Sequence, residues 1–199
     1  MADLSISDWL WVHNTLLSEE FPVEAMENAD LPLGTVQVEK DTLRIYGFSF
    51  QYPSTSKLEF NPKFKREDGD VAVKSPDKAN IFVSWGNLDK VIKKAPTIQD
   101  HAKFSLDRVK KSVQGKMTTL ESKDVKVAGH DAVFNHVKIE VPRRGIFGKG
   151  TLQEVRSVHL HCDQTHRFYV IYSTATEGNK EVQGRTMQEI VDSLQCHGF

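Results

Sequence analysis

The stretch Val158–His166, VHLHCDQTH, holds three histidines and one of the two cysteines of the chain. Imidazoles and thiolates are common zinc ligands, so this composition first indicates a metal site. Strand alternation opposes that interpretation, because it places Cys162 on one face and His159 and His161 on the other. His166 follows the turn DQT, and the sequence leaves its direction open. The pattern favours a β-hairpin whose polar face carries imidazoles.

The final helix brings a second cysteine and a further histidine toward the same corner. A helix over residues 180–196 is about 25 Å long, and a strand over residues 167–174 is about 26 Å long. A helix that packs antiparallel on this strand therefore ends near the turn that precedes the strand. The residues expected at this corner are Cys162, His166, Cys196 and His197.

Two cysteines and two histidines can hold zinc tetrahedrally, and two close thiols can instead form a disulfide. Structural zinc sites usually show tighter ligand spacing along the chain. The spacing therefore favours reduced thiols in a packed corner, and we predict no cofactor.

Signatures of catalysis are missing from the sequence. It has no Gly-x-Ser-x-Gly elbow, no phosphate-binding Walker loop and no His-Glu-x-x-His motif. The segment GIFGKG lacks the serine or threonine of a phosphate loop, and Cys162 is expected on an apolar strand face. We therefore predict a protein that is not an enzyme. An enzyme without a known motif would instead show a deep pocket with a strongly perturbed acid or base.

Charge is distributed unevenly over the 199 residues, although the net charge is only −1. Residues 1–39 contain eight acids and no lysine or arginine, so the rest carries 26 basic against 19 acidic residues, or +7. Such asymmetry is typical of an interaction. Either the acidic segment docks on the basic body of the same chain, or one of the two meets a partner.

Apolar periodicity divides the chain into two parts, residues 1–34 and 35–199. The first part reads as an acidic helix, starting at Ser5 or Ser7, followed by a connector. The second part alternates with period two in many short segments, which predict strands over residues 43–52 and 132–141 among others. Residues 168–172 are apolar at every position, which predicts a strand covered on both faces. Helical periodicity lies near residues 98–113 and 180–196, and Thr97 with Asp100 is the capping pair predicted for the first of these helices. This combination predicts an α+β domain, an antiparallel sheet with helices on both faces and an N-terminal helical appendage.

Three tracts carry a resemblance to a known superfamily: YGFSFQYPSTSKLEF, VKVAGHDAVFNHVKIEV with Gly129, Ala132 and Val133, and RFYVIYSTA followed by MQEIVDSLQ. Their order resembles the PsbP-like superfamily over residues 43–194. The resemblance implies an α/β/α sandwich and a non-enzyme that binds partners or stabilises assemblies. The acidic start and the segment VPRRGIFGKGTLQEV depart from that pattern.

Two basic regions are candidate partner-binding surfaces. The helix over residues 98–113 is flanked by lysines on its polar face, which is either a solvated face or a footprint for an anionic surface. The tip PRRGIFGKG places the apolar pair Ile146 and Phe147 among basic residues. This pair either folds back on the domain or contacts a partner or membrane surface. The candidate residues are Lys103, Lys110, Lys111, Arg143, Arg144, Ile146, Phe147 and Lys149.

From these features we predict a soluble binding or accessory module that acts through protein–protein contacts. The alternative is a small-ligand or metal-binding protein that uses the histidine-bearing end of the sheet. Nucleic acid is disfavoured as a partner by the near-neutral charge and the lack of a recognition motif. No apolar run is long enough for a transmembrane helix. Two cysteines and no basic N-terminal signal favour the cytoplasm.

Overall fold

The computed structural model describes residues 39–76, 80–113, 116–141, 151–176 and 178–198. The predicted N-terminal helix and connector lie outside these ranges. So do Arg143, Arg144, Ile146, Phe147 and Lys149. Within the described part of the chain, no helix has the length and apolar character needed to cross a bilayer.

Nine strands and three helices make up the described residues. The strands are β1 Lys40–Ile45, β2 Phe48–Pro53, β3 Lys57–Phe60, β4 Gly69–Lys74, β5 Asn80–Asn87, β6 Lys116–Val127, β7 His130–Val141, β8 Thr151–Cys162 and β9 Arg167–Ala175. The helices are α1 Leu88–Ile92, α2 Ile98–Val113 and α3 Lys180–Ser193.

Seven of these strands form one antiparallel sheet, in the order β3-β4-β5-β9-β8-β7-β6. Helix α2 packs on β7 and β8, where His101 meets His159 and His161. Helix α3 packs on the opposite face, where Met187, Ile190 and Leu194 join the core around Leu160. The predicted α+β sandwich with helices on both faces is confirmed.

The central strand β9 explains why the fold needs cover on both sides. Its residues 169–173 are all buried. The apolar run over residues 168–172 predicts such a strand, covered on two faces. Tyr169 and Ile171 lie in the core beneath α3. Tyr172 faces the other way and stacks on Phe82, with ring centroids 5.0 Å apart.

The tract predicted as one strand over residues 43–52 is instead a hairpin, β1 and β2, in a separate two-stranded sheet. The chain reverses at Tyr46 and Gly47, whose φ angles are 50° and 84°. Two consecutive residues with positive φ are typical of a tight hairpin turn. The turn was missed because tyrosine rarely adopts this conformation. Phe48 and Phe50 of β2 are completely buried in the core beneath α3.

Helix α2 begins with a reciprocal cap. The backbone N–H of Asp100 donates to the Thr97 hydroxyl, and the backbone N–H of Thr97 donates to the Asp100 carboxylate. This capping pair was predicted from the sequence. The buried face of α2 is centred on His101 and Ala102, whereas Ile98 and Leu106 are only half-buried. The helix therefore presents an imidazole to the sheet where apolar periodicity predicted aliphatic side chains.

Gly184 lies within α3, where glycine costs about 1 kcal/mol relative to alanine. A Cβ at this position would overlap the Arg156 guanidinium. That guanidinium extends from β8 under the helix and donates to the Lys180 carbonyl at 3.3 Å. Arg156 therefore occupies the space that a side chain at position 184 would need.

Candidate metal centre

The ends of two neighbouring strands place a histidine beside a cysteine. The turn between β6 and β7 consists of Ala128 and Gly129, both with positive φ, so His130 is the first residue of β7. The β7–β8 ladder pairs Ala132 with Leu160. Extending this antiparallel register by two residues places His130 opposite Cys162, the last residue of β8. The two side chains consequently share the sheet face that α3 covers.

The C-terminal tail brings the other two ligand candidates to the same place. Helix α3 ends at Ser193, and Leu194 turns the backbone into an extended conformation. Gln195 then forms a β-bridge with Ser49 of β2, with backbone hydrogen bonds of 2.8 and 2.9 Å in both directions. This bridge directs the next two residues, Cys196 and His197, over the strand ends.

Four ligand atoms, one each from His130, Cys162, Cys196 and His197, lie within 4.8 Å of one another. Nδ1 of His197 is 3.3 Å from Nε2 of His130. It is also 3.6 Å from Sγ of Cys162 and 3.4 Å from Sγ of Cys196.

These distances match the edges of a zinc coordination tetrahedron. Zn–S bonds of about 2.3 Å and Zn–N bonds of about 2.0–2.1 Å give N···N edges of about 3.3 Å and N···S edges of about 3.6 Å. The single N···N edge and the two N···S edges measured from His197 agree with these values to within about 0.2 Å. The arrangement therefore has the donor set of a Cys₂His₂ site, with three edges of tetrahedral length and the other three within 4.8 Å.

Burial sets the protonation states at this cluster. Cys162 and Cys196 are buried, and desolvation, with a further contribution from Cys162, raises the pKa of the Cys196 thiol to about 12. Burial and the neighbouring His197 lower the pKa of His130, which keeps its imidazole in the neutral form that binds metals. A divalent cation would reverse the preference of the thiols, because it stabilises the thiolate.

The structure brings together three of the four residues considered for this corner: Cys162, Cys196 and His197. The two cysteines are not linked by a disulfide. His166 is not part of the group, since its side chain is exposed and its backbone, at φ 51°, accepts a hydrogen bond from Leu88. His130 takes the place considered for His166. The signal for it was the turn glycine Gly129 directly before it.

The remaining imidazoles of the opening stretch form a different cluster on the opposite face of the sheet. His159 and His161 meet His101 of α2, whose Nδ1 is 3.2 Å from Nε2 of His161. Phe168 closes the cluster with an edge-to-face contact to His101 at 5.2 Å between ring centroids. Burial lowers the pKa of His101 to about 4 and that of His159 to about 3. These imidazoles are therefore neutral packing groups at pH 7.

Other candidate residues lie away from both clusters. Lys103, Lys110 and Lys111 are exposed along α2. A cavity of about 160 Å³ lies between α3 and β6–β8, with Glu121, His136 and Arg156 among its lining residues. Binding pockets for small molecules are usually larger, roughly 300–1,000 Å³. This cavity is therefore smaller than a typical binding pocket for an organic ligand.

Comparison of the sequence with protein-family models and with curated proteins found no match. Solved structures match by fold. Cyanobacterial PsbP (CyanoP) from Synechocystis sp. PCC 6803 superposes with a TM-score of 0.59 at 10% identity, covering 84% of this chain and 97% of its own. The Saccharomyces cerevisiae Ran-binding protein Mog1p superposes with a TM-score of 0.54 at 11% identity, covering 80% and 96%. The chain therefore has the PsbP-like fold that the three sequence tracts predicted.

Proposed function

We propose that this protein is a zinc-binding, non-enzymatic domain in which His130, Cys162, Cys196 and His197 hold one Zn²⁺. The observation that supports it is the agreement between the three measured edges and a zinc tetrahedron. Two thiolates with two imidazoles favour zinc over calcium or magnesium, which prefer oxygen ligands.

The bound ion has a structural role in this proposal. Four protein ligands leave no open coordination position for a water or a substrate. The ion links the ends of β7 and β8 to the C-terminal tail, which the Gln195–Ser49 bridge already joins to β2. Zinc therefore adds a second link to the tail, beside the core packing that holds α3 on the sheet. A cytoplasmic location, where thiols stay reduced, belongs to the same proposal.

Metal analysis of the full chain purified without a metal-binding tag tests this function. We expect one zinc per chain in the wild type and close to none in Cys162→Ser or Cys196→Ser. Replacement of zinc by Co²⁺ should give the thiolate-to-cobalt charge-transfer band in the near ultraviolet. His166→Gln is the matched control and should keep both signals. A wild type without bound metal after supplementation with zinc, or one that stays colourless with Co²⁺, would refute the proposal.

A second candidate function, binding of an acidic protein partner, is favoured by the exposed face of α2. The Phe104 side chain is 41% exposed there, and the Arg108 guanidinium lies 5.7 Å from its ring centroid. Lys103, Lys110 and Lys111 are exposed on the same helix. An aromatic ring among cations is a common anchor in protein interfaces. The Ran-binding activity named for Mog1p shows that this fold can present a protein-binding surface.

Substituting Phe104→Ser is expected to weaken retention of acidic proteins from a cell extract on the immobilised chain by at least about thirtyfold, the loss of about 2 kcal/mol typical of an interface anchor. Its free energy of unfolding should change by no more than about 0.5 kcal/mol, because the side chain is an exposed surface group outside the core. Ile92→Ser, which removes another exposed apolar side chain, is the control. Equal retention by wild type and Phe104→Ser would rule out this surface.

A further inference from the structure

Both cysteines of the chain belong to the proposed metal centre. Their sulfur atoms lie within 4.8 Å of each other, whereas a disulfide requires about 2.05 Å. The approach needed is small, and the partner that must move is on the terminal tail, three residues beyond the end of α3. The chain therefore has a single intramolecular disulfide available, and forming it removes half of the metal ligands.

The sulfur atoms are the enclosed part of the cluster. Cys162 and Cys196 are 0% and 1% exposed, so even a water-sized molecule does not touch them in this conformation. His130 and His197 are half-buried and therefore partly face solvent. An oxidant reaches the sulfur atoms only when the tail that carries Cys196 and His197 moves away from the strand ends, and a small hydroperoxide needs a smaller opening than a large oxidant does.

We propose, building on the zinc site above, that the cluster is a redox switch in which a hydroperoxide converts the Zn²⁺-bound thiolates to a Cys162–Cys196 disulfide and expels the ion. One thiolate attacks the peroxide oxygen, the O–O bond breaks, and a sulfenic acid and hydroxide form. The second thiolate attacks the sulfenic sulfur and expels the other hydroxide. With hydrogen peroxide, two thiolates and two protons give one disulfide and two waters, and two electrons pass from sulfur to oxygen.

The two end states hold the tail differently. In the reduced state, zinc joins the tail to the ends of β7 and β8 through four ligands. In the oxidised state, the covalent link between Cys162 and Cys196 replaces the metal link, and His130 and His197 are released from the metal. A dithiol reductant restores the thiols, and zinc binding then restores the closed site.

The test uses the zinc-loaded full chain and equimolar hydrogen peroxide. We expect release of one zinc to a chromogenic chelator for every two thiols lost, and a mass lower by two hydrogen atoms. Proteolysis should yield Cys162 and Cys196 in one linked peptide. Dithiothreitol followed by Zn²⁺ should reverse all three changes. His166→Gln, which alters an exposed histidine outside the cluster, should behave as the wild type.

The outcomes separate this proposal from the one on which it rests. A chain that holds no zinc before peroxide is added would overturn the proposed function and the switch together. Zinc that stays bound after peroxide treatment would overturn the switch alone. Thiols lost only as sulfinic acid, or as a disulfide between two chains, would also overturn it.

Discussion

Loading the metal-free chain with Zn²⁺ is expected to raise its melting temperature by about 8–16 °C. At a free zinc concentration one thousand times Kd, binding to the folded state stabilises it by about 4 kcal/mol. In a chain of this length each kcal/mol shifts the melting temperature by about 2–4 °C. The gain is large because the four ligands come from distant parts of the sequence and meet only in the folded chain. Calorimetry with zinc and with a chelator measures it.

His130→Ala should remove most of this gain, because a three-ligand site binds zinc more weakly than a closed one. His166→Ala is the matched control, since both changes remove one histidine and only His130 belongs to the cluster. Each variant is compared with its own metal-free form, which separates metal binding from packing. Equal zinc-dependent gains in the two variants would place the metal elsewhere.

The contrast between His130 and His166 shows where sequence reasoning reaches its limit at this site. Element lengths placed Cys196 at the same end as Cys162. Helix α3 spans about 21 Å and strand β9 about 30 Å, and the extended residues after Ser193 cover the remaining distance. Strand β7 was predicted to start at Ala132, two residues after its observed start. That difference removed His130 from the strand. It also hid the pairing with Cys162, because alternation fixes the face of a side chain but not its partner on the next strand.

The fold was more predictable than the site because it depends on patterns summed over many residues. Period-two segments located β3–β5 and β7–β9, and the 3.6-residue period located α2 and α3. The hairpin of β1 and β2 was missed at a single position, Tyr46, whose left-handed conformation is fixed by tertiary packing. His101 was missed for a related reason: α2 is rotated on the sheet so that an imidazole is buried. Local periodicity describes a helix face only approximately, and the neighbouring strands decide its final orientation.

Acidification from pH 7 to pH 4 is expected to destabilise the chain through the histidine cluster beneath α2. The pKa of His101 is lowered to about 4 by burial and then by His161, and that of His159 to about 3 by burial and then by His101. In the unfolded chain both histidines titrate near 6.5. The unfolded state thus binds more protons below pH 6.5, and stability falls as the pH falls toward the folded pKa values. The contribution of His101 alone is roughly 3 kcal/mol over this range.

His101→Phe isolates this effect, because it keeps an aromatic ring against Phe168 and removes the titrating group. Urea unfolding at several pH values is measured in a Cys162→Ser/Cys196→Ser background with chelator, so that proton-driven loss of metal does not contribute. Acidic residues, including Asp163 near His161, are the same in both chains, so the difference between the two curves cancels their effect. Between pH 7 and pH 4 the chain with His101 should lose about 3 kcal/mol more than the phenylalanine variant. His166→Gln should follow the chain with His101.

The opposite result would be parallel curves for the chain with His101 and the phenylalanine variant. Such curves would show that His101 is already protonated or solvated in the folded state, and would remove the cluster as the source of acid sensitivity.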